Sequence, residues 1–149
     1  IDEAAIDPGD IELEITESVV HSNNNLETFK RLRALGVKIA IDDFGTGYSS
    51  LGSLKKLPID CLKIDQMFLI DMLNDPDTSV LLGTIVGMAN ALGYRVLAEG
   101  VESQDQITVL QGIGCEFAQG YYFSPPVAAQ HVPQLFVKSF KPDFSRAVG

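Results

Sequence analysis

The sequence predicts an α/β fold in which parallel strands curve toward a barrel. Three observations carry this expectation. Strand-like and helix-like patterns alternate along the chain, as they do where crossover helices join parallel strands. Gly36, Gly93 and Gly114 stand where helix C-caps belong, each shortly before a strand-like run. Polar residues gather at the carboxyl end of every predicted strand, the end where parallel α/β folds bind ligands.

The first predicted strand, residues 11–16, carries Glu14 and Glu17 near its end. Leu26, Phe29, Leu32 and Leu35 then repeat at helical spacing. The second strand, 37–41, places Val37, Ile39 and Ile41 on one face and Lys38, Ala40 and Asp42 on the other. The third, 61–64, separates Leu62 and Ile64 from Cys61, Lys63 and Asp65 in the same way. Met67, Phe68, Leu69 and Met72 follow as helix core or an oligomer face. A wider stripe of Leu81, Leu82, Ile85, Val86, Ala89 and Leu92 precedes the fourth strand, 95–98, whose polar face is Arg95, Leu97 and Glu99. Ser103 and Gln106 have capping-box spacing at the next helix start, and Ile107, Leu110 and Ile113 line that helix. The fifth strand, 115–118, leads to Gln119. Tyr121, Tyr122 and Phe123 read as barrel-end packing.

The apolar faces suit packing under helices, and the charged faces then share one interior. A barrel satisfies this better than an open doubly wound sheet. A closed barrel of eight units needs roughly 200 residues or more. The chain has 149. The expectation is a partial barrel of about five βα units, with the N-terminal barrel strands absent from this chain.

Composition bounds the function. Hydrophobic residues make up 46% of the chain, enough for one domain with a sizeable core. The formal net charge of −9 argues against a duplex-binding or membrane-surface protein. Phosphate ligands stay possible if metal ions reverse the local sign. No apolar stretch of about 18 residues and no basic leader suggests a span or secretion. Cys61 and Cys115 lie in apolar runs without paired-ligand spacing, which fits a reducing cytoplasmic setting and disfavours thiolate zinc.

The most informative stretch is Asp42-Asp43-Phe44-Gly45-Thr46-Gly47-Tyr48-Ser49-Ser50. Adjacent acids repel unless something neutralises them. A weak internal repeat supplies the context. Residues 34–42 resemble residues 91–99, so Asp42 and Glu99 occupy the same place in two helix–strand units, six residues past a glycine. Glu14, Asp42, Asp43 and Glu99, with Gln119 beside them, form an all-oxygen donor set suited to Mg²⁺ or Mn²⁺. Two such ions can share a carboxylate and clamp a phosphodiester. Lys63 could hold an attacking water or stabilise phosphate charge. Blander readings compete: Lys63 as a structural partner of Asp65 or Asp42, Glu12 with Lys38 as a structural pair, Glu17 as a loop cap, and no role for His21 or His131.

Five motifs now stand in order: Glu14-Ile15-Thr16-Glu17-Ser18, the Asp42–Ser50 stretch, Leu62-Lys63-Ile64-Asp65, Ala98-Glu99-Gly100-Val101-Glu102, and Gln119-Gly120-Tyr121 with Ser124-Pro125-Pro126 after it. In sequence and spacing they resemble the EAL domain. The resemblance implies a TIM-like barrel that linearises cyclic di-GMP to pGpG with two Mg²⁺ or Mn²⁺ ions. It implies Glu14, Asp42, Asp43 and Glu99 as metal ligands, with Asp42 bridging. It implies Lys63 as the holder of the catalytic water, Glu102 and Gln119 as support, and Glu17 as anchor of the loop from Asp43 through Phe44, Gly45, Thr46, Gly47, Tyr48, Ser49 and Ser50. That loop links the metal site to a homodimer face, expected around residues 43–56. Residues 1–140 then form the C-terminal part of an EAL domain and 141–149 a tail.

The departures from the family pattern are the signature Glu-Ala-Leu strand and a ligating Asn, neither of which is in this chain, and a segment between Glu17 and Leu26 about two residues short. The fragment alone is therefore expected to be weakly active or inactive. The alternative is a regulatory module that binds cyclic di-GMP without cleaving it. Regulatory domains, and membrane attachment through them, belong to the expected full-length parent.

Overall fold

Five parallel strands pair in chain order: β1 (Glu12–Thr16), β2 (Lys38–Phe44), β3 (Cys61–Ile64), β4 (Arg95–Ala98) and β5 (Phe117–Ala118). The computed structural model that shows this describes residues 5–20, 25–45 and 51–136. An order without reversal has no switch point of the doubly wound kind. With crossovers of one hand it places every connecting helix on the same side of the sheet.

The core confirms that one-sidedness. Ile39 and Ile41 of β2, Leu62 and Ile64 of β3, and Val96 and Ala98 of β4 pack with Phe29, Leu82, Val86 and Leu110 in one apolar cluster. These come from α2 (Leu26–Ala34), α5 (Pro76–Ala91) and α6 (Gln104–Gly112). Ile39, Ile41, Leu62 and Ile64 are completely buried, each stabilising the fold by about 1.5–3 kcal/mol. The other sheet face carries Glu12, Glu14, Lys38, Asp42, Lys63 and Arg95. No strand pairing closes the sheet into a barrel among the described residues.

That polar face is concave. Glu12 on β1 and Arg95 on β4 are three strand spacings apart, about 14 Å on a flat sheet, yet Arg95 Nη2 donates to Glu12 Oε2 at 2.5 Å. The expected Glu12–Lys38 pair is not among the described ion pairs. The two are opposite one another in register, but curvature brings the longer Arg95 side chain across to the carboxylate.

Local signals set the helix ends. Asp65 caps α4 (Gln66–Asp71) by accepting from Met67 N at 2.6 Å. Asp75 accepts from Asp77 N at 3.1 Å ahead of Pro76 in α5. Ser103 and Gln106 form the expected capping box, and Gln106 Nε2 also donates to Leu69 O at 2.9 Å, tying α6 to α4. Gly36, Gly93 and Gly114 all have positive φ just past helix ends, as expected.

Three expectations need correction. β2 runs on through Asp42, Asp43 and Phe44 rather than ending at Ile41, and β5 has only two residues. Leu35 and Leu81 point outward from their stripes. Of the four apolar residues after β3, Phe68, Leu69 and Met72 are core, and Met67 is exposed with Ile70 and Leu73. No described helix is long and apolar enough to cross a membrane. The tail at 141–149 lies outside the described residues.

Candidate metal centre at the carboxyl end of the strands

β2 carries an irregularity where the acids stand. Ile41 pairs with Leu62 and Phe44 with Ile64, so Asp42 and Asp43 together oppose the single residue Lys63. This is a β-bulge, the device that re-aims side chains beside functional sites. Asp43 adopts φ 53°, outside the usual range for a non-glycine residue, at a cost of about 1 kcal/mol. In a regular strand two consecutive side chains point to opposite faces. Here Asp42, Asp43 and Glu99 each offer an oxygen within 4.8 Å of the others.

Lys63 organises the acids. It is 4% exposed, and Nζ lies 2.7 Å from Glu14 Oε1, 2.9 Å from Glu99 Oε1 and 3.0 Å from Asp42 Oδ1. Burial pulls its pKa down, but the close contacts with the Glu14, Glu99 and Asp42 carboxylates outweigh burial and hold the ammonium charged well above the ordinary lysine value. The Glu99 pKa is also raised: burial pushes it up, against the opposing pull of Lys63. Gln119 Nε2 donates to Glu99 Oε1 at 2.9 Å and fixes that carboxylate from the far side.

The sequence places Asp65 on the charged face with Lys63, as a possible structural partner of that lysine. The structure sets the Asp65 side chain against Asp43, and this contact raises the Asp43 pKa, with Asp42 adding to the effect. A hydrogen bond between two carboxyls requires a proton on one of them. Glu14, Asp42 and Glu99 thus share one lysine, with Asp43 and Asp65 beside them, an excess of acid that a bound cation would relieve. The buried Asp42 Oδ1 is near Lys63 Nζ but has no aligned hydrogen bond. Asp42, Asp43 and Glu99 are the residues that would hold such an ion, their three oxygens being grouped within 4.8 Å. The donors fit a hard divalent metal.

The other expected residues lie around this group. Glu14 is held by Lys63 and is outside the three-carboxylate cluster. Glu17 is 5% exposed, and its Oε2 accepts from Gly45 N at 3.4 Å, joining the start of α1 (Glu17–Val20) to the turn after β2. Phe44 is buried. Thr46, Gly47, Tyr48, Ser49 and Ser50 lie outside the described residues, as does His21. Glu102 is exposed beside a cavity of about 560 Å³, which Gln66, Gln119 and Tyr121 also line. Tyr121 is 67% exposed and does not pack at a barrel end, unlike Tyr122 and Phe123.

The chain is similar to several known proteins. It is 41% identical over 129 residues to the cyclic di-GMP phosphodiesterase PA2567 of Pseudomonas aeruginosa, covering 85% of this chain and 22% of the relative. The solved EAL enzyme Bd1971 with cAMP and cyclic di-GMP bound superposes with a TM-score of 0.88 at 36% identity, over 92% of this chain and 37% of that one. The manganese and cyclic di-GMP complex of BlrP1 from Klebsiella pneumoniae gives 0.77 at 34% identity, over 83% and 32%. This chain thus spans about a fifth of the curated relatives it matches. The EAL domain family model matches residues 1–126. With the motifs, the parallel sheet and the model match in agreement, the chain belongs to the EAL domain family.

Proposed function

We propose that the domain from which this chain comes hydrolyses cyclic di-GMP to linear pGpG with Mg²⁺ or Mn²⁺, two ions in the complete site. The carrying observation is the bulge that converges Asp42, Asp43 and Glu99 beside buried Lys63. Relatives named as cyclic di-GMP phosphodiesterases support the substrate. Solved neighbours with manganese or calcium beside that nucleotide support the metal.

Asp42, Asp43 and Glu99 would hold metal, with Glu14 joining once Lys63 shifts. Bound divalent ions supply a nucleophilic hydroxide at neutral pH and neutralise charge on the phosphodiester. The chain's own residues position these parts. Lys63 directs its ammonium into the acid cluster, where it can hold a water against the phosphorus atom. Gln119 keeps Glu99 aimed inward, and Glu102 supports the rim. Glu17 holds Gly45 at the head of the stretch that ends at Ser50, and residues around 43–56 would supply a homodimer face. Residues 1–140 are the C-terminal part of this domain and 141–149 a tail. The two unpaired, buried cysteines fit a cytoplasmic location.

Isothermal titration of these 149 residues with Mn²⁺ tests the site. Saturable binding that is lost in Asp42→Asn supports it, and equal binding by that variant refutes it. The isolated chain is expected to turn over cyclic di-GMP weakly or not at all. Nucleotide binding without turnover in a domain with a complete barrel would favour the regulatory-module reading.

A further inference from the structure

Basic residues are scarce in this chain, 11 against 20 acids, yet four of them line one cavity of about 500 Å³ at the amino end of the strands. Arg33 comes from α2, Lys38 from the first residue of β2, Lys55 from the segment after α3 (Leu51–Leu54), and Arg95 from the first residue of β4. Three to four strand residues, about 10–13 Å, separate this end from the acid cluster.

The structural pairs account for only part of this charge. Arg33 Nη2 meets Asp60 Oδ1 at 2.9 Å, and Arg95 meets Glu12. Asp60, the one acid lining the cavity, is used twice, since Oδ2 also accepts from Ile39 N at 3.0 Å. Lys38 and Lys55 are exposed and have no ion-pair partner among the described residues. Two arginines with spare guanidinium donors and two unmatched ammonium groups therefore face one concavity, and each arginine is held in place by its carboxylate. Tyr94 forms a rigid wall, its hydroxyl donating to Leu54 O at 2.7 Å.

We propose that this cavity binds a phosphate-bearing small molecule of up to nucleotide size, separately from the metal centre. The unmatched charge of about two suits a phosphate group, which carries −1.5 to −2 at neutral pH. Guanidinium forks and ammonium groups are its usual recognition elements. The volume lies within the range of small-molecule sites and exceeds that of a lone phosphate.

Pyrophosphate and GMP are the probes, titrated without divalent metal and followed by amide NMR at low salt. Expected are saturable shifts at Lys38, Asp60 and Arg95, absent at Asp43 and Glu99. The double variant Lys38→Gln/Lys55→Gln should lose about tenfold or more in affinity. Lys30→Gln, the same kind of charge loss on α2 outside the cavity, should match the wild type. Equal weakening by Lys30→Gln would reduce the effect to general charge, and shifts confined to the acid cluster or no saturation at millimolar probe would overturn the site. Greater response to GMP than to pyrophosphate assigns the ligand as a nucleotide; the reverse assigns a bare polyphosphate.

Discussion

Lys63 Nζ and Glu99 Oε1 lie 2.9 Å apart although one comes from the interior of β3 and the other from the residue after β4. The same Glu99 oxygen accepts from Gln119. One carboxylate thus joins three consecutive strand ends. Removing the lysine leaves Glu14, Asp42 and Glu99 without their shared counter-ion. Lys63→Met should lower stability by about 3 kcal/mol at neutral pH, the scale for orphaning partners of a buried ion pair. Added Mn²⁺ should restore most of the loss. Chemical denaturation with and without Mn²⁺ measures both effects, and a variant as stable as wild type without metal would contradict this role.

The metal-free acid cluster also sets a pH dependence. Asp43 and Glu99 both have pKa values raised in the folded state. A raised carboxyl contributes stability while protonated and loses it as pH rises through the folded pKa. Melting temperature without metal should therefore rise as pH falls from 8 toward about 5, near the upper edge of the carboxylate range. Asp75, lowered by its hydrogen bonds to Thr78 and Asp77 N, works in the opposite sense, and below about pH 4 its protonation should reverse the trend. Saturating Mn²⁺ should flatten the rise between pH 5 and 8. A melting temperature that increases with pH across that window in EDTA would refute the account.

Asp43 separates function from stability. Its φ of 53° suits glycine better than aspartate. Asp43→Gly should relieve about 1 kcal/mol of backbone strain and remove a repulsive acid. The variant should be at least as stable as wild type in EDTA and bind Mn²⁺ at least tenfold more weakly, since one of the three clustered carboxylates is gone. Calorimetric titration and thermal melts in EDTA check the pair of outcomes; unchanged metal affinity would remove Asp43 from the site.

A Cβ on Gly120 would fall 2.1 Å from Val101 O and 2.2 Å from Val101 N. Both are backbone atoms already engaged: Val101 N donates to Gln119 O, and Val101 O accepts from Tyr122 N. Gly120→Ala should cost about 3 kcal/mol or more, through forced displacement of packed backbone. Gly87 in α5 is the contrast, with nothing within 4 Å of an added Cβ. Gly87→Ala should stabilise by roughly 0.5–1 kcal/mol. Denaturant midpoints of the two variants should move in opposite directions.

Cys61 faces the charged side of the sheet but is only 3% exposed, and burial pushes its thiol up to about 11. Cys115 is raised for the same reason. Neither should react measurably with a disulfide reagent at pH 8 until the protein unfolds. Rapid labelling of the native protein would show that the sheet opens on that side.

Much of this fold was legible because two periodicities are clean in the sequence. The bounds of β3 and β4 match those expected, since Leu62 and Ile64, like Val96 and Ala98, alternate against polar partners. The carboxyl-end position of Asp42, Lys63, Glu99 and Gln119 followed from the same alternation. What failed depended on relations between strands. The bulge at Asp42 and Asp43 arises from register against β3, and simple alternation would have sent Asp43 to the wrong face. The Glu12–Arg95 pair depends on sheet curvature, which no local pattern encodes. The contact of Asp65 with Asp43 was hidden because the helix-capping bond explains an Asp at position 65 without reference to Asp43. The adjacency of two acids was the one signal that regular pairing breaks there.

The most direct test of the central claim is cyclic di-GMP hydrolysis by a domain containing these residues within a complete barrel, assayed with Mn²⁺ and followed by chromatography of pGpG. Wild type should produce pGpG, and Asp42→Asn and Glu99→Gln should each lose at least about 100-fold in rate while remaining folded by circular dichroism. Either folded variant turning over cyclic di-GMP at the wild-type rate would contradict the assignment of this cluster as the metal centre.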